Sequence, residues 1–261
     1  MSDRPNIPVI ELQASAISAL REVARPVVKN VTWTVAPGEF WVIAGQQHVG
    51  KVDLLLTVAG LLPPLAGTCR LFGRDTREFG GADPAERLQV GLVFAGGQLF
   101  HQLTLAENIA LPVRYHRNLT APEAERAIGV WLDLLELTPL AHALPADVSL
   151  DWLKRAALAR ALVLQPQVLL CDHPLGGLGT RHRQWWLGFL DQLGRGHEVL
   201  GGRPLTIIVT TEDLPPWKAA GRRFALLRDE QFFTYASWAE LAASPDPMLH
   251  ELLTDPPDIE L

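Results

Sequence analysis

The sequence predicts an α/β fold. Short apolar runs that are typical of buried strands alternate along the chain with stretches whose leucines recur at helical spacing. A glycine-containing loop, residues 45–51, joins one apolar run to one helical pattern. This alternation is typical of strands that are linked through helices, so we expect neither an all-helical nor an all-β chain.

The first part of the chain is predicted to form five strands and one helix. The helix follows Gly50, carries leucines at helical spacing over residues 52–59, and ends at Gly60 ahead of the proline pair 63–64. The predicted strands cover residues 9–12, 27–35, 40–44, 68–72 and 90–94.

The remainder of the chain is predicted to be mostly helical over residues 104–164 and mixed after that. Thr104 with Glu107, and Ser237 with Glu240, have the spacing of helix capping boxes. The tail 255–261 contains two prolines and three acidic residues and is expected to be loose. The predicted strands cover residues 168–171, 205–210, 224–227 and 232–235, the last two as a hairpin.

Composition and charge exclude several classes of protein. The 261 residues are 48% hydrophobic and 20% charged, which is typical of a folded chain. A net charge of -6 argues against a nucleic-acid partner. Cys69 and Cys171 are too few for a disulfide framework or a cysteine-rich metal site. Residues 1–8 lack a signal-peptide pattern and no apolar run reaches membrane-spanning length, so we expect a cytoplasmic protein.

Residues 45–51 match the phosphate-loop pattern G-x-x-x-x-G-K. In such a loop, backbone N–H groups surround phosphates and the lysine, here Lys51, reaches their outer oxygens. The next position normally supplies a hydroxyl to Mg²⁺, but Val52 has no oxygen. A glycine turn of unrelated function remains an alternative. The candidate phosphate-binding residues are Gly45, Gln46, Gln47, His48, Val49, Gly50, Lys51, Val52 and Asp53.

Three further segments resemble the ATPase subunits of ABC transporters. Residues 90–108 are similar to the Q-loop region of that family, 155–162 to the helix after its signature motif, and 168–175 to its Walker B strand. The C-terminal residues 238–253 resemble those of ATPases from Mla/MCE-type lipid-transport systems.

The resemblance extends over roughly residues 9–235 and implies a P-loop fold. We expect a RecA-like core, an antiparallel β subdomain and a helical subdomain within one nucleotide-binding domain. The implied core lobe covers residues 7–94 and 163–236, the helical lobe 95–162, and a C-terminal extension 237–261.

The sequence departs from the family pattern at the positions that serve catalysis. The alignment puts Ala95 at the Q-loop glutamine, His173 at the catalytic glutamate after the Walker B Asp172, and Thr211 at the switch histidine. Residues 148–152 read Val-Ser-Leu-Asp-Trp where the family has Leu-Ser-Gly-Gly-Gln. We therefore expect a member of the family that is deficient in hydrolysis, and we assign no residue to catalysis. We expect ATP binding to be weak or absent, and we expect no Mg²⁺.

The resemblance also implies partners. It suggests a cytoplasmic subunit that lies on the inner face of the cell membrane and docks to an integral-membrane permease. Pairing with a second copy or with another ABC ATPase is expected, and no nucleic acid. The docking groove is expected in the helical lobe, near Phe94, Leu99, Phe100 and Leu103.

Several alternatives remain open from the sequence. The chain could be a working ATPase with His173 as base and Asp53 helping to hold the metal, or a soluble binding or regulatory module. His48 and His173 could bind a transition metal with Asp172 or Asp53, or simply fill the space of a lost nucleotide. Lys51 could hydrogen-bond the loop carbonyls and pair with one of these aspartates.

Overall fold

The computed structural model describes residues 7–22, 24–79, 85–219 and 221–253, so the predicted loose tail 255–261 lies outside the described residues. Among the described residues, none of the helices combines the length and the apolarity that crossing a membrane requires. The strands are β1 (Ile10–Ser18), β2 (Pro26–Val35), β3 (Phe40–Ala44), β4 (Ala66–Leu71), β5 (Arg74–Asp75), β6 (Val90–Val93), β7 (Val168–Cys171), β8 (Thr206–Thr211), β9 (Arg222–Arg228) and β10 (Gln231–Tyr235). The helices are α1 (Lys51–Val58), α2 (Leu105–His116), α3 (Ala121–Leu134), α4 (Leu150–Leu162), α5 (Thr180–Arg195), α6 (Trp238–Ala242) and α7 (Pro247–Leu253).

The chain forms two compact units. The first takes its described residues from the stretches Met1–Asp83 and Thr206–Leu261, and the second from Pro84–Leu205. The first unit contains α1, α6, α7 and all strands except β6 and β7, which lie in the second unit with α2 to α5. The lobe boundaries expected from the sequence stay a prediction.

The first unit contains two arrays of strands. One is an antiparallel sheet in the order β2-β1-β4-β5. In the other, β3 pairs in parallel with both β8 and β9, and β9 continues into the antiparallel hairpin with β10. All residues of β3 and β8 are buried, which explains why both read as uninterrupted apolar or small-residue runs in the sequence.

The second unit combines a parallel strand pair with four helices. Val90 of β6 lies opposite Val168 of β7. The helix α4 approaches β6 so closely that a Cβ at Gly91 would lie 2.8 Å from the carbonyl oxygen of Ala161. Glycine at position 91 therefore allows close packing of a helix on the strand pair. Trp186 of α5 is fully buried in the same unit.

These elements confirm the predicted α/β fold, including its antiparallel sheet and its helical segment. The strand β1 is longer than predicted: it continues to Ser18 instead of ending at residue 12, because its second half, rich in small residues, still pairs with β2 as far as Pro26. The helices α5 and α7 were not predicted. The predicted capping box is confirmed, since Thr104 accepts from the Glu107 N–H and Glu107 accepts from the Thr104 N–H.

Asn108 holds the loop that precedes α2. Its side chain is fully buried, and its Oδ1 accepts from the Phe100 N–H at 2.8 Å. Its Nδ2 lies 3.0 Å from each of the carbonyl oxygens of Phe100, Leu103 and Thr104. One amide thus satisfies several backbone groups, which explains why the chain turns sharply between β6 and α2.

Replacing Asn108 with alanine should destabilise the protein by about 2–3 kcal/mol, because buried backbone groups of the loop would lose their partner. The free energy of unfolding in urea measures this effect. Gln102→Ala, in the same loop but exposed, is the control and should change stability by less than about 0.5 kcal/mol. Equal stability of the two variants would contradict the role given to Asn108.

Candidate functional site

The loop 45–51 lies between β3 and α1, as the sequence predicted. The Gly45 N–H donates to the carbonyl of Thr211 at 3.3 Å, so the loop begins beside the end of β8. Gly50 has a φ of 96°, and a Cβ there would lie 2.9 Å from Cγ2 of Val27. Position 50 therefore requires glycine, both for its left-handed backbone and for the close approach of Val27.

Lys51 is the first residue of α1, and its side chain turns back into the loop. Only 7% of the residue is exposed, and Nζ donates to the carbonyl oxygens of Gly45 and Gln46, at 2.6 Å each. Oε1 of Glu212 lies 3.5 Å from the same nitrogen. The predicted contact with the loop carbonyls is confirmed, and the structure adds Glu212, which the sequence analysis missed.

The start of α1 suits an anion but not a magnesium ion. The first N–H groups of a helix lack partners within the helix and favour a negative ligand such as phosphate. Val52 offers only methyl groups where the family pattern needs a hydroxyl. Oδ1 of Asp53 accepts a hydrogen bond from the Leu20 N–H at 2.7 Å and thereby fastens the loop after β1. The residues at this helix start therefore do not fit a magnesium site of the kind found in phosphate loops.

Thr211, the residue aligned with the switch histidine, is buried at the end of β8. Its hydroxyl accepts from the Asp213 N–H at 3.0 Å and donates to the Asp213 carbonyl at 2.8 Å. This local turn engages the hydroxyl and leads the chain away from β8. Position 211 thus supports the turn from which Glu212 extends.

In the second unit, His173 follows Asp172 at the end of β7 and adopts a left-handed backbone with a φ of 44°. Its ring lies against Gly176: a Cβ at that glycine would be 1.8 Å from Cδ2 and 2.1 Å from Nε2 of the imidazole. Glycine at position 176 leaves the space that the ring fills. The imidazole is thus placed by packing within its own turn.

Lys154 of α4 holds the same turn and was also missed by the sequence analysis. It is 1% exposed, and Nζ donates to the carbonyl oxygens of His173, Pro174 and Gly176 at 3.0, 3.3 and 2.6 Å. Burial lowers the pKa of Lys154 to about 8, and the neighbouring Asp172 and Asp151 carboxylates oppose this shift. Three backbone carbonyls solvate an ammonium that water does not reach.

The segment aligned with the signature motif forms the start of α4 and carries bulk where the family has glycines. Leu150 is 37% exposed there. Trp152 packs edge-on against His182, with ring centroids 5.4 Å apart, and lies 4.8 Å from the Arg155 guanidinium. The same guanidinium lies 3.7 Å from the Trp185 ring. This cation–π stack accounts for the tryptophan, so the exposed bulk comes from Leu150.

The other predicted residues lie in both units, and one of them has no polar side-chain group. Ala95 follows β6 in a turn and presents a methyl group. The loop residues lie in the first unit, whereas Ala95, Asp172 and His173 lie in the second. The expected proximity of His48 and His173 stays a prediction. Among the residues described by the structure, no group of three or more His, Cys, Asp or Glu side chains could hold a metal ion.

A groove of about 480 Å³ lies between α2 and α3 in the second unit. Its floor includes Ala106 and Ala110 of α2 and Ala124 and Ile128 of α3, and its rim carries charged and polar groups. None of the residues predicted to line a docking groove belongs to it. The predicted lining residues Phe94, Leu99, Phe100 and Leu103 stay a prediction, since a groove at another place does not test them.

Gly176→Ala should destabilise the protein by about 1–3 kcal/mol, because the new methyl group collides with the His173 ring. Thermal unfolding measures the loss. Gly96→Ala is the matched control, since that turn also follows a strand of the second unit and a Cβ there meets no atom within 4 Å. If the two variants unfold at the same temperature, the imidazole does not occupy the position described.

Known proteins share this arrangement over most of the chain. The spermidine/putrescine import ATP-binding protein PotA of Frankia alni is 40% identical over 161 residues, which are 62% of this chain and 34% of PotA. The chain therefore spans only about a third of that relative. The intermembrane phospholipid transport system ATP-binding protein MlaF of Escherichia coli K12 is 26% identical over 230 residues, 88% of this chain and 83% of MlaF.

A solved structure and a family model agree with these relatives. A dimeric ATP-binding cassette in a post-hydrolysis state, bound to ADP and Pi, superposes with a TM-score of 0.72 at 26% identity and covers 85% of this chain and 95% of that one. The family model described as ABC transporter matches residues 28–176. Since this match covers more than half of the sequence, the chain belongs to the ABC transporter family.

Proposed function

We propose that this chain is an ABC-transporter subunit that docks to an integral-membrane permease and does not itself hydrolyse ATP. The observation that carries the proposal is the loss of polar groups where the family needs them. Val52 and Ala95 have no polar side-chain atom, and the Thr211 hydroxyl is engaged in its own turn. Two of these positions normally help to place Mg²⁺, which neutralises the transferring phosphate.

The residue in the place of the catalytic glutamate supports the same proposal. Histidine can act as a general base if a ring nitrogen reaches the attacking water. Here the imidazole of His173 packs on Gly176, and Lys154 fixes the carbonyls of that turn. A ring held in this way is not free to turn one of its nitrogens toward an attacking water molecule. The alternative of an active ATPase with His173 as base and Asp53 as metal ligand is further weakened, because Asp53 binds the Leu20 N–H.

The phosphate loop itself keeps its essential shape. Gly50 retains the left-handed backbone of the loop, and Lys51 retains its place at the start of α1. When bound, a nucleotide would supply phosphates to this loop, with Lys51 as the cationic contact. We propose weak ATP binding without Mg²⁺.

The permease partner and the cargo are inferred from the relatives and from the groove. The groove between α2 and α3 offers an apolar floor of alanines and Ile128 with a polar rim, which suits a short amphipathic helix of a membrane subunit. The MlaF match and the similar C-terminal segment favour a lipid cargo. Peripheral attachment to the inner face of the membrane, and pairing with a second copy or another ABC ATPase, complete the proposal.

Wild-type protein with Mg²⁺ and ATP should release no more phosphate than Lys51→Ala or His173→Ala, because the groups that place the metal are missing. A continuous phosphate-release assay measures this. Turnover by the wild type that both substitutions abolish would instead establish the active ATPase.

Ala106→Arg should reduce recovery of the permease by at least about tenfold, since a long charged side chain would fill the groove. Co-purification from detergent-solubilised membranes, with mass spectrometry to identify a polytopic membrane protein, measures recovery. Ala146→Arg is the control, because this exposed residue lies outside the groove. If the wild type brings down no membrane subunit, the chain is instead a soluble module.

A further inference from the structure

Glu212 is placed beside the phosphate loop by the end of β8. The hydrogen bond from the Gly45 N–H to the Thr211 carbonyl brings the two segments together. The Thr211 hydroxyl braces the turn at Asp213. The Glu212 side chain between them extends to the loop, with Oε1 3.5 Å from Nζ of Lys51 and Oε2 3.2 Å from Nε2 of Gln47.

The Lys51 ammonium is therefore already surrounded by oxygen atoms of its own chain. Two loop carbonyls and one carboxylate approach Nζ, and the lysine is only 7% exposed. Two of the three ammonium donors are used by these carbonyls, so a phosphate oxygen that binds Lys51 competes with Glu212 for the ammonium charge. Glu212 is a partner that carries charge, and its pairing with a poorly hydrated lysine is screened less than a surface pair.

A second carboxylate, that of Glu251, touches the loop at Gln46. Oε2 of Glu251, on α7, lies 3.2 Å from Nε2 of Gln46. The helix α7 is held there through the Leu214 N–H, which donates to the Leu252 carbonyl at 3.1 Å. Both glutamines of the loop thus contact a carboxylate, and Glu212 in addition pairs with Lys51.

We infer that Glu212 is an intramolecular competitor of phosphate for Lys51 and sets the affinity of the loop for polyphosphate ligands. The inference rests on the proposed function, since it concerns the same phosphate loop. A bound nucleoside triphosphate has to displace the carboxylate and then lies next to its negative charge. Weak binding is in this view a property of Glu212, as well as of the missing metal ligand at position 52.

The test compares dissociation constants by titration calorimetry, with inorganic tripolyphosphate and ATP as separate probes, without Mg²⁺ and at constant salt. Glu212→Gln keeps the size of the side chain and its contact with Gln47 but removes the charge. It should bind both probes about tenfold more tightly than the wild type. Glu251→Gln, the same change of charge at Gln46, should alter binding by less than about threefold.

The double variant Lys51→Ala/Glu212→Gln decides whether the effect passes through the lysine. Its dissociation constants should be no lower than those of Lys51→Ala, because without the lysine there is no ammonium for which Glu212 competes with phosphate. Binding by Glu212→Gln that equals the wild type, or no binding by either, overturns the inference. If the affinity still rises in the variant without Lys51, or rises equally in Glu251→Gln, the inference is also overturned. Either result would show that any lost negative charge near the loop strengthens binding.

The same samples separate this inference from the proposed function. Phosphate release from ATP plus Mg²⁺ by the wild type would contradict the proposed loss of hydrolysis, whereas the comparison of dissociation constants would still stand. Tighter tripolyphosphate binding without tighter ATP binding would limit the role of Glu212 to free polyphosphates and overturn the inference for nucleotides.

Discussion

An ammonium group buried away from water has to be surrounded by oxygen atoms, and two loops of this protein are shaped by that requirement. Lys51 draws the carbonyls of Gly45 and Gln46 around its nitrogen, and Lys154 does the same with the carbonyls of the turn after β7. In both cases the chain turns sharply after a buried strand and presents carbonyls on one side. The form of each loop thus follows from the solvation of one cation.

Glycine makes both loops feasible. At Gly50 the backbone is left-handed and Val27 comes close, whereas at Gly176 the constraint is the imidazole of His173. Neither requirement involves a nucleotide. The shape of both loops is therefore compatible with Val52 and Ala95 at positions where the family pattern has polar residues, because packing and lysine solvation determine that shape.

Local patterns in the sequence predicted much of the fold. The apolar runs of β3 and β7, the glycine loop between a strand and a helix, and the Thr104 capping box are signals within a few residues, and each is found in the structure. The roles of Glu212 and Lys154 were not predictable in this way. Gln47 and Glu212 are 165 positions apart, and only the pairing of β3 with β8 makes them neighbours. The groove between α2 and α3 was not predictable either, because it depends on how two helices pack and not on a local pattern.

The pairing of Lys51 with Glu212 has a simple electrostatic logic. In a loop that is filled with nucleotide for most of its life, phosphate oxygens can serve as the counter-charge of the lysine. When no phosphate is bound, a poorly hydrated ammonium such as that of Lys51 needs a counter-charge nearby, because burying an unpaired charge is costly. Glu212 supplies the counter-charge from within the chain. The internal pair stabilises the empty loop, and for the same reason it opposes the ligand for which the loop is shaped.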